Sequence, residues 1–283
     1  MLAIIGTVPT KNFPLHAGEV SLTGNQLCLD QQQIPINRGT PALIAAAIKT
    51  AQTLGRPMPF TYLVGDIGQG HGSRRLYDYL VQQLPQTDFQ TIVFHYLQPI
   101  IHYHSQIVAA IDQMPKKPCL IADAGYMYMA KMSGQASVYD LFTPDVGELA
   151  FLADEEAPHP FYTRGFILEE ENRVPDLISR AYLHNNAAQN LLVKGQRDCL
   201  ANCNGILETV DKPSEEAMEA MGGTGDTLTG IASALIESGM DIGKAAITAA
   251  KINRLAGSFA KPNPATQVFN IIQCIPQAMQ QIL

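Results

Sequence analysis

From residue 40 onward, short strand-like runs alternate with segments of helical periodicity, which restricts the chain to βα units stacked into a mainly parallel sheet with helices on both faces. The periodicity predicts a helix over Thr40 to Leu54, a strand at FTYLVG (60–65), a helix over Ser73 to Leu84 and a strand at TIVFHY (91–96). A helix over roughly residues 102–114, a strand at CLIAD (119–123) and a shorter run before DLF (140–142) follow. Before residue 40, LAIIGTV (2–8) reads as an initial strand and NQLCLDQQQIPI (25–36) as a small hairpin or an irregular excursion. Later, DCLANC and ILETV flank Asn204 and Gly205, both tolerant of positive φ, which predicts a tight hairpin. The order of the strands is left open.

At 283 residues the chain is near the upper size for one hydrophobic core, and no stretch rich in Pro, Gly or charge divides it, so one domain over 1–283 is expected. Hydrophobic residues make up 46% and charged residues 16%, a balance that excludes a disordered chain and predicts a large core. A net charge of -7 disfavours nucleic acid and anionic membrane surfaces as partners. No apolar stretch approaches the ~18 residues needed to span a bilayer, and the short apolar run near the N-terminus follows no positive region. A cytoplasmic protein acting on a small molecule is therefore expected. The five cysteines, at 28, 119, 199, 203 and 274, form no paired framework and read as reduced thiols. Residues 154–175, with glutamates at 155, 156, 169, 170 and 171, read as a solvated insertion, a lid or a contact between copies in a homo-oligomer.

The segment MGGTGDTLTGIASALIESG carries the strongest chemical signal. Gly222, Gly223 and Gly225 precede an apolar helical face at Leu228, Ile231, Ala232, Leu235 and Ile236. Glycines at a helix entry let backbone N–H groups approach an anion, and the helix N-terminus adds about half a positive charge. Asp226, in the first turn, would sit beside that anion hole and accept a proton as a substrate hydroxyl attacks phosphorus. The alternative is that Thr224 or Asp226 only caps the helix. The loop is neither a Walker A motif nor a dinucleotide fingerprint.

Four segments, IADAGYMYM, LFTPDVGELAFLAD, NLLVKGQRD and GGTGDTLTGIASAL, occur in an order that resembles the ribokinase-like superfamily, in the branch of NAD(P)H-hydrate dehydratase and related carbohydrate-kinase-like proteins. The resemblance implies a ribokinase-like three-layer α/β fold and phosphoryl transfer from ATP or ADP with Mg2+. It implies Asp226 as the base and Gly222, Gly223, Thr224 and Gly225 as the anion hole. Lys194 and Gly195 would lie by the nucleotide phosphates, and Asp145 and Glu148 would organise Mg2+ through its waters. Asp123, at the end of its strand, falls where α/β folds gather ligands and is placed near the substrate, as are Asn37, Arg38 and Gly39 at the turn before the Ala-rich helix. Taken singly, Lys194 also reads as an exposed strand-end lysine and Glu148 as a first-turn helix carboxylate.

Two departures bear on the substrate. Asp145 and Val146 stand where that branch has a His-Pro pair, and HYLQP (95–99) stands where it has a GPGLG-like loop. A second glycine cluster, GDIGQGHGSRR, reads either as a further phosphate or anionic-substrate site, with Ser73 as a helix cap, or as a strand-to-helix turn. Three functions follow: a dehydratase that phosphorylates a hydrated nicotinamide and then eliminates phosphate, a kinase for a sugar or vitamin-precursor alcohol, and a non-catalytic nucleotide-binding regulator.

Overall fold

A computed structural model describes residues 1–29, 32–158, 160, 174–263 and 265–283. Among the described residues the strands are β1 (Leu2–Val8), β2 (His16–Glu19), β3 (Ser21–Thr23), β4 (Gln26–Leu29), β5 (Gln32–Pro35), β6 (Phe60–Gly65), β7 (Thr91–Phe94), β8 (Cys119–Ala122), β9 (Leu141–Phe142), β10 (Asn190–Val193), β11 (Asp198–Asn202) and β12 (Gly205–Val210). The helices are α1 (Thr40–Thr53), α2 (His71–Gln83), α3 (Ile101–Ile111), α4 (Gly125–Met132), α5 (Val146–Ala153), α6 (Val174–Leu183), α7 (Thr224–Glu237), α8 (Ile242–Ala260) and α9 (Val268–Ile282). The main sheet runs β12-β11-β10-β9-β8-β7-β1-β6-β2. Its centre, from β10 to β6, is parallel, while β11, β12 and β2 pair antiparallel at the edges. Strands β3, β4 and β5 form a separate small antiparallel sheet.

Side chains alternate across each central strand, so the same strands supply two cores. Ile4, Leu63, Val93, Ile121, Leu141 and Leu192 face the core built with α1, α7, α8 and α9. Ile5, Val64, Phe94, Ala122, Phe142 and Leu191 face the other, built with α2 to α6. Burial on both faces is what makes these strands read as continuous apolar runs, and each fully buried Leu or Ile adds roughly 1.5–3 kcal/mol. Among the described residues, no helix is long and apolar enough to cross a membrane.

Helix α1 is buried along most of its length because α7 and α9 pack against it. Its closeness to α7 depends on Gly230, where a Cβ would run into the Leu43 carbonyl oxygen and come within 3.1 Å of the Ala46 side chain. Gly230→Ala is expected to destabilise the protein by about 2 kcal/mol, since the backbone must shift to admit the methyl group. An unchanged midpoint in urea unfolding would contradict this.

Several boundaries differ from the sequence reading. The strand predicted over 91–96 ends at Phe94, because Tyr96 takes a φ of 38° and turns the chain out of the sheet. Helix α2 starts at His71, two residues before Ser73. The hairpin turn falls on Cys203 and Asn204, with Gly205, at φ 105°, already opening β12. Of the 154–175 stretch, residues 159 and 161–173, including Glu169 to Glu171, lie outside the described residues.

Candidate active site

Helix α7 begins after Gly223, whose φ of 103° only glycine adopts without strain, and no side chain caps its first turn. Thr224 and Asp226 therefore do something other than cap. The Thr224 hydroxyl donates to the carbonyls of Met218 and Met221, both at 3.3 Å. Both carboxylate oxygens of Asp226 are engaged: Oδ2 accepts the Gly39 N–H at 2.6 Å, and Oδ1 lies 3.1 Å from His95 Nε2. Gly39 is the N-cap of α1, so two helix N-termini converge on this carboxylate. Burial alone would raise the Asp226 pKa, but the His95 hydrogen bond, the Lys194 charge and the Gly39 amide outweigh it and hold the pKa below the ordinary value.

The ends of β8 and β10 supply a second pair. Lys194 Nζ reaches Asp123 Oδ1 at 2.8 Å and Oδ2 at 3.1 Å. Asp123, 1% exposed, also accepts from the Ala124 amide at 2.8 Å and the Thr229 hydroxyl at 2.6 Å. Burial disfavours the Lys194 charge, yet Asp123 and Glu148 outweigh it and the pKa is raised. The lysine stem passes so close to Gly225 that a Cβ there would lie 3.3 Å from Lys194 Cδ. Arg254 ties down the loop after β10, with Nε 2.7 Å from Asp198 Oδ2 and donations to the carbonyls of Gly195 and Gln196 at 2.9 and 3.0 Å.

Asp145 and Glu148 form a capping box at the start of α5, with Asp145 Oδ1 accepting the Glu148 N–H at 2.7 Å and Glu148 Oε2 accepting the Asp145 N–H at 2.9 Å. Each keeps its second oxygen. Burial pushes the Glu148 carboxyl above the usual range, only partly offset by Lys194. A cavity of about 1160 Å³ gathers Asp145, Glu148, Lys194, Gly195, Asp123, and Gly223 through Asp226. Asn37, Arg38 and Gly222 line a neighbouring hollow of about 390 Å³, and Met221 lines both.

His95 was not singled out from the sequence as a site residue. The available signal was its place directly after a parallel strand, equivalent to that of Asp123 after β8. One atom each from His95, Asp123 and Asp226 lies within 4.8 Å of the others, the only such metal-type group among the described residues. All three are already engaged by protein groups, which makes the cluster a hydrogen-bonded one as it stands. The second glycine cluster binds itself: the amides of Gly68, Gln69 and Gly70 donate to Asp66 Oδ1 at 3.0 Å, and Ser73 donates to Oδ2 through its amide and its hydroxyl. With these donors spent on Asp66, the segment is a self-satisfied turn, and Ser73 lies inside α2 rather than capping it.

Residues 104–277 match the family model described as NAD(P)H-hydrate dehydratase, of the carbohydrate-kinase type. The chain belongs to this family. An uncharacterized protein of Methanocaldococcus jannaschii is 40% identical over 242 residues, which are 85% of this chain and 100% of that protein. In structure the family member resembles a ribokinase-like superfamily protein of Enterococcus faecalis, at 17% identity and a TM-score of 0.61, over 99% of this chain and 87% of that one. It also resembles the ADP/ATP-dependent NAD(P)H-hydrate dehydratase of Bacillus subtilis co-crystallised with ATP and Mg2+, at 14% identity and a TM-score of 0.57, over 100% of this chain and 90% of that one. The three-layer, mainly parallel α/β architecture is thus the ribokinase-like fold, and the family description marks an enzyme.

Proposed function

We propose that the protein, acting as a single domain on a small molecule in the cytoplasm, transfers a phosphoryl group from ATP or ADP to a substrate hydroxyl. In the dehydratase reading that hydroxyl belongs to a hydrated reduced nicotinamide. The observation that carries this is a carboxylate held ionised in a cavity beside the uncapped N-terminus of α7. Asp226 takes the hydroxyl proton as the oxygen attacks the terminal phosphorus, and the bond to the departing nucleotide breaks with its electron pair on the nucleotide. The amides at Gly223 to Gly225 and the α7 dipole stabilise charge on the transferring group. Lys194, held by Asp123, presents a fixed positive charge to the phosphates. The second oxygens of Asp145 and Glu148 suit a hard cation retaining its waters, and Mg2+ held there would supply positive charge to offset that of the nucleotide phosphates. Loss of phosphate with the carbon–oxygen electron pair, and of a proton from the neighbouring ring carbon to solvent, would then form the ring double bond and restore the reduced cofactor.

A second reading, a kinase that releases its phosphorylated alcohol, is favoured by one observation. His95 and the half-exposed Tyr96 occupy the end of β7, where the dehydratase branch carries a glycine-rich loop, so the acceptor side is built differently. Purified protein with hydrated NADH, Mg2+ and either ATP or ADP separates the two. Phosphate release with recovery of reduced-nicotinamide absorbance supports the dehydratase. Absence of recovery in folded protein overturns it, and a stable phosphorylated product from a sugar or vitamin-precursor alcohol identifies the kinase.

A further inference from the structure

We propose that His95 is a positioning residue for Asp226, donating from Nε2 to Oδ1 so that a buried carboxylate stays ionised and in one orientation. The proposal rests on the reading of Asp226 as the base, and it concerns a side chain that stands in place of the family's glycine-rich loop.

Four separate elements build the contact. The His95 amide donates to the Ile5 carbonyl at 2.8 Å, which keeps its backbone in register with β1 although β7 has ended. Its side chain is 0% exposed. Nε2 lies 3.1 Å from Asp226 Oδ1, and Nδ1 lies 3.0 Å from the Thr40 hydroxyl at the start of α1. The space for this pair comes from β1, where a Cβ on Gly6 would fall 2.6 Å from Thr40 Oγ1 and 2.8 Å from the His95 carbonyl oxygen. Tyr96, at φ 38°, then turns the chain away, a conformation uncommon for a non-glycine residue.

The imidazole is held from behind and aimed at the carboxylate from the side away from solvent, so it cannot itself touch a substrate. With the Thr40 hydroxyl donating to Nδ1, the proton belongs on Nε2; a doubly protonated ring also donates there. Either form gives Asp226 a donor on Oδ1 while Gly39 supplies one on Oδ2. Among the described residues, the charged and titratable groups facing Asp226 include His95 and Tyr96 after β7, Asp123 after β8 and Lys194 after β10, while the N-cap of α1 contributes the Gly39 amide. The His95 hydrogen bond, the Lys194 charge and the Gly39 amide together outweigh burial and hold the Asp226 pKa down.

The test is a carboxyl-carbon NMR titration of the full-length chain, with the Asp226 resonance assigned by its loss in Asp226→Asn. His95→Phe is expected to raise the Asp226 midpoint by roughly one pH unit or more, and His95→Gln, whose amide can donate, to recover part of the shift. Equal midpoints in the wild-type protein and His95→Phe overturn the proposal. Should His95→Phe fail to fold, nitrogen NMR of the wild-type imidazole decides, since a lone pair at Nε2 overturns the proposal and a proton there supports it. Since the base works ionised, the acid limb of phosphoryl transfer should move to higher pH with the midpoint. A merely structural residue would lower the rate equally at every pH. Full turnover in Asp226→Asn would instead sink the base reading, which the NMR comparison distinguishes from a failure of the His95 proposal.

Discussion

Asp226→Asn is expected to lower phosphoryl transfer by roughly 10²–10⁴-fold, the range a positioned general base supplies, with little loss of stability. The fold should survive because an asparagine oxygen can still accept the Gly39 N–H, while the side-chain NH2 meets an imidazole that can change tautomer, accept at Nε2 and donate from Nδ1 to Thr40. What the variant lacks is a group basic enough to take the hydroxyl proton. The rate on the acceptor identified by the product assay, measured beside the thermal midpoint, separates the two effects. A rate within a few fold of wild type would remove Asp226 from the role of base.

Lys194→Met is expected to cost roughly 3–5 kcal/mol of folding stability, the range seen when one member of a buried ion pair is removed. Asp123 is almost fully buried and would keep its Thr229 and Ala124 donors but lose its only cation partner at hydrogen-bond distance among the described residues. Adding Asp123→Asn should recover most of the loss, because the stranded charge goes with it; a double-mutant cycle in urea unfolding measures this coupling. A loss below about 1 kcal/mol would mean that water reaches Asp123 in the variant. The pH dependence has a definite sign. The folded pKa of Lys194 is raised, so the pair's contribution is fully present below the unfolded lysine value of about 10.4 and disappears as pH climbs through the folded one. Wild type should therefore lose stability in alkali relative to the double variant.

Much of the architecture is legible in the sequence because it is written in short-range patterns. The helix after GGTGD and the strands ending at Ala122 and Val193 all announce themselves by periodicity within a few residues. The motifs at 123, 145–148, 194–195 and 222–226 stand out through the family resemblance, and the fold gathers Asp123, Asp145 to Glu148, Lys194, Gly195 and Gly223 to Asp226 into one cavity, with Gly222 on the neighbouring hollow. Less legible was where a strand stops when the next residue remains apolar or aromatic. His95 and Tyr96 read as a continuation of TIVF, and only the positive φ at Tyr96 shows that the chain leaves the sheet there. The glycine cluster after β6 stayed open between an anion site and a turn for a related reason: its donors are aimed at Asp66, a partner that composition alone does not reveal.

Sequence by itself determined the βα alternation, the three-layer class and the helix that carries Asp226, since each depends on side-chain spacing along one local segment. Only the tertiary structure decided the order of the nine strands and the environment of that carboxylate. The partners of Asp226 are His95, 131 residues away, and Gly39, 187 residues away. Contacts at such separations follow from which strands lie side by side and how closely α1 can approach α7 over Gly230. Packing sets both, and neither leaves a repeat along the chain from which it could be read.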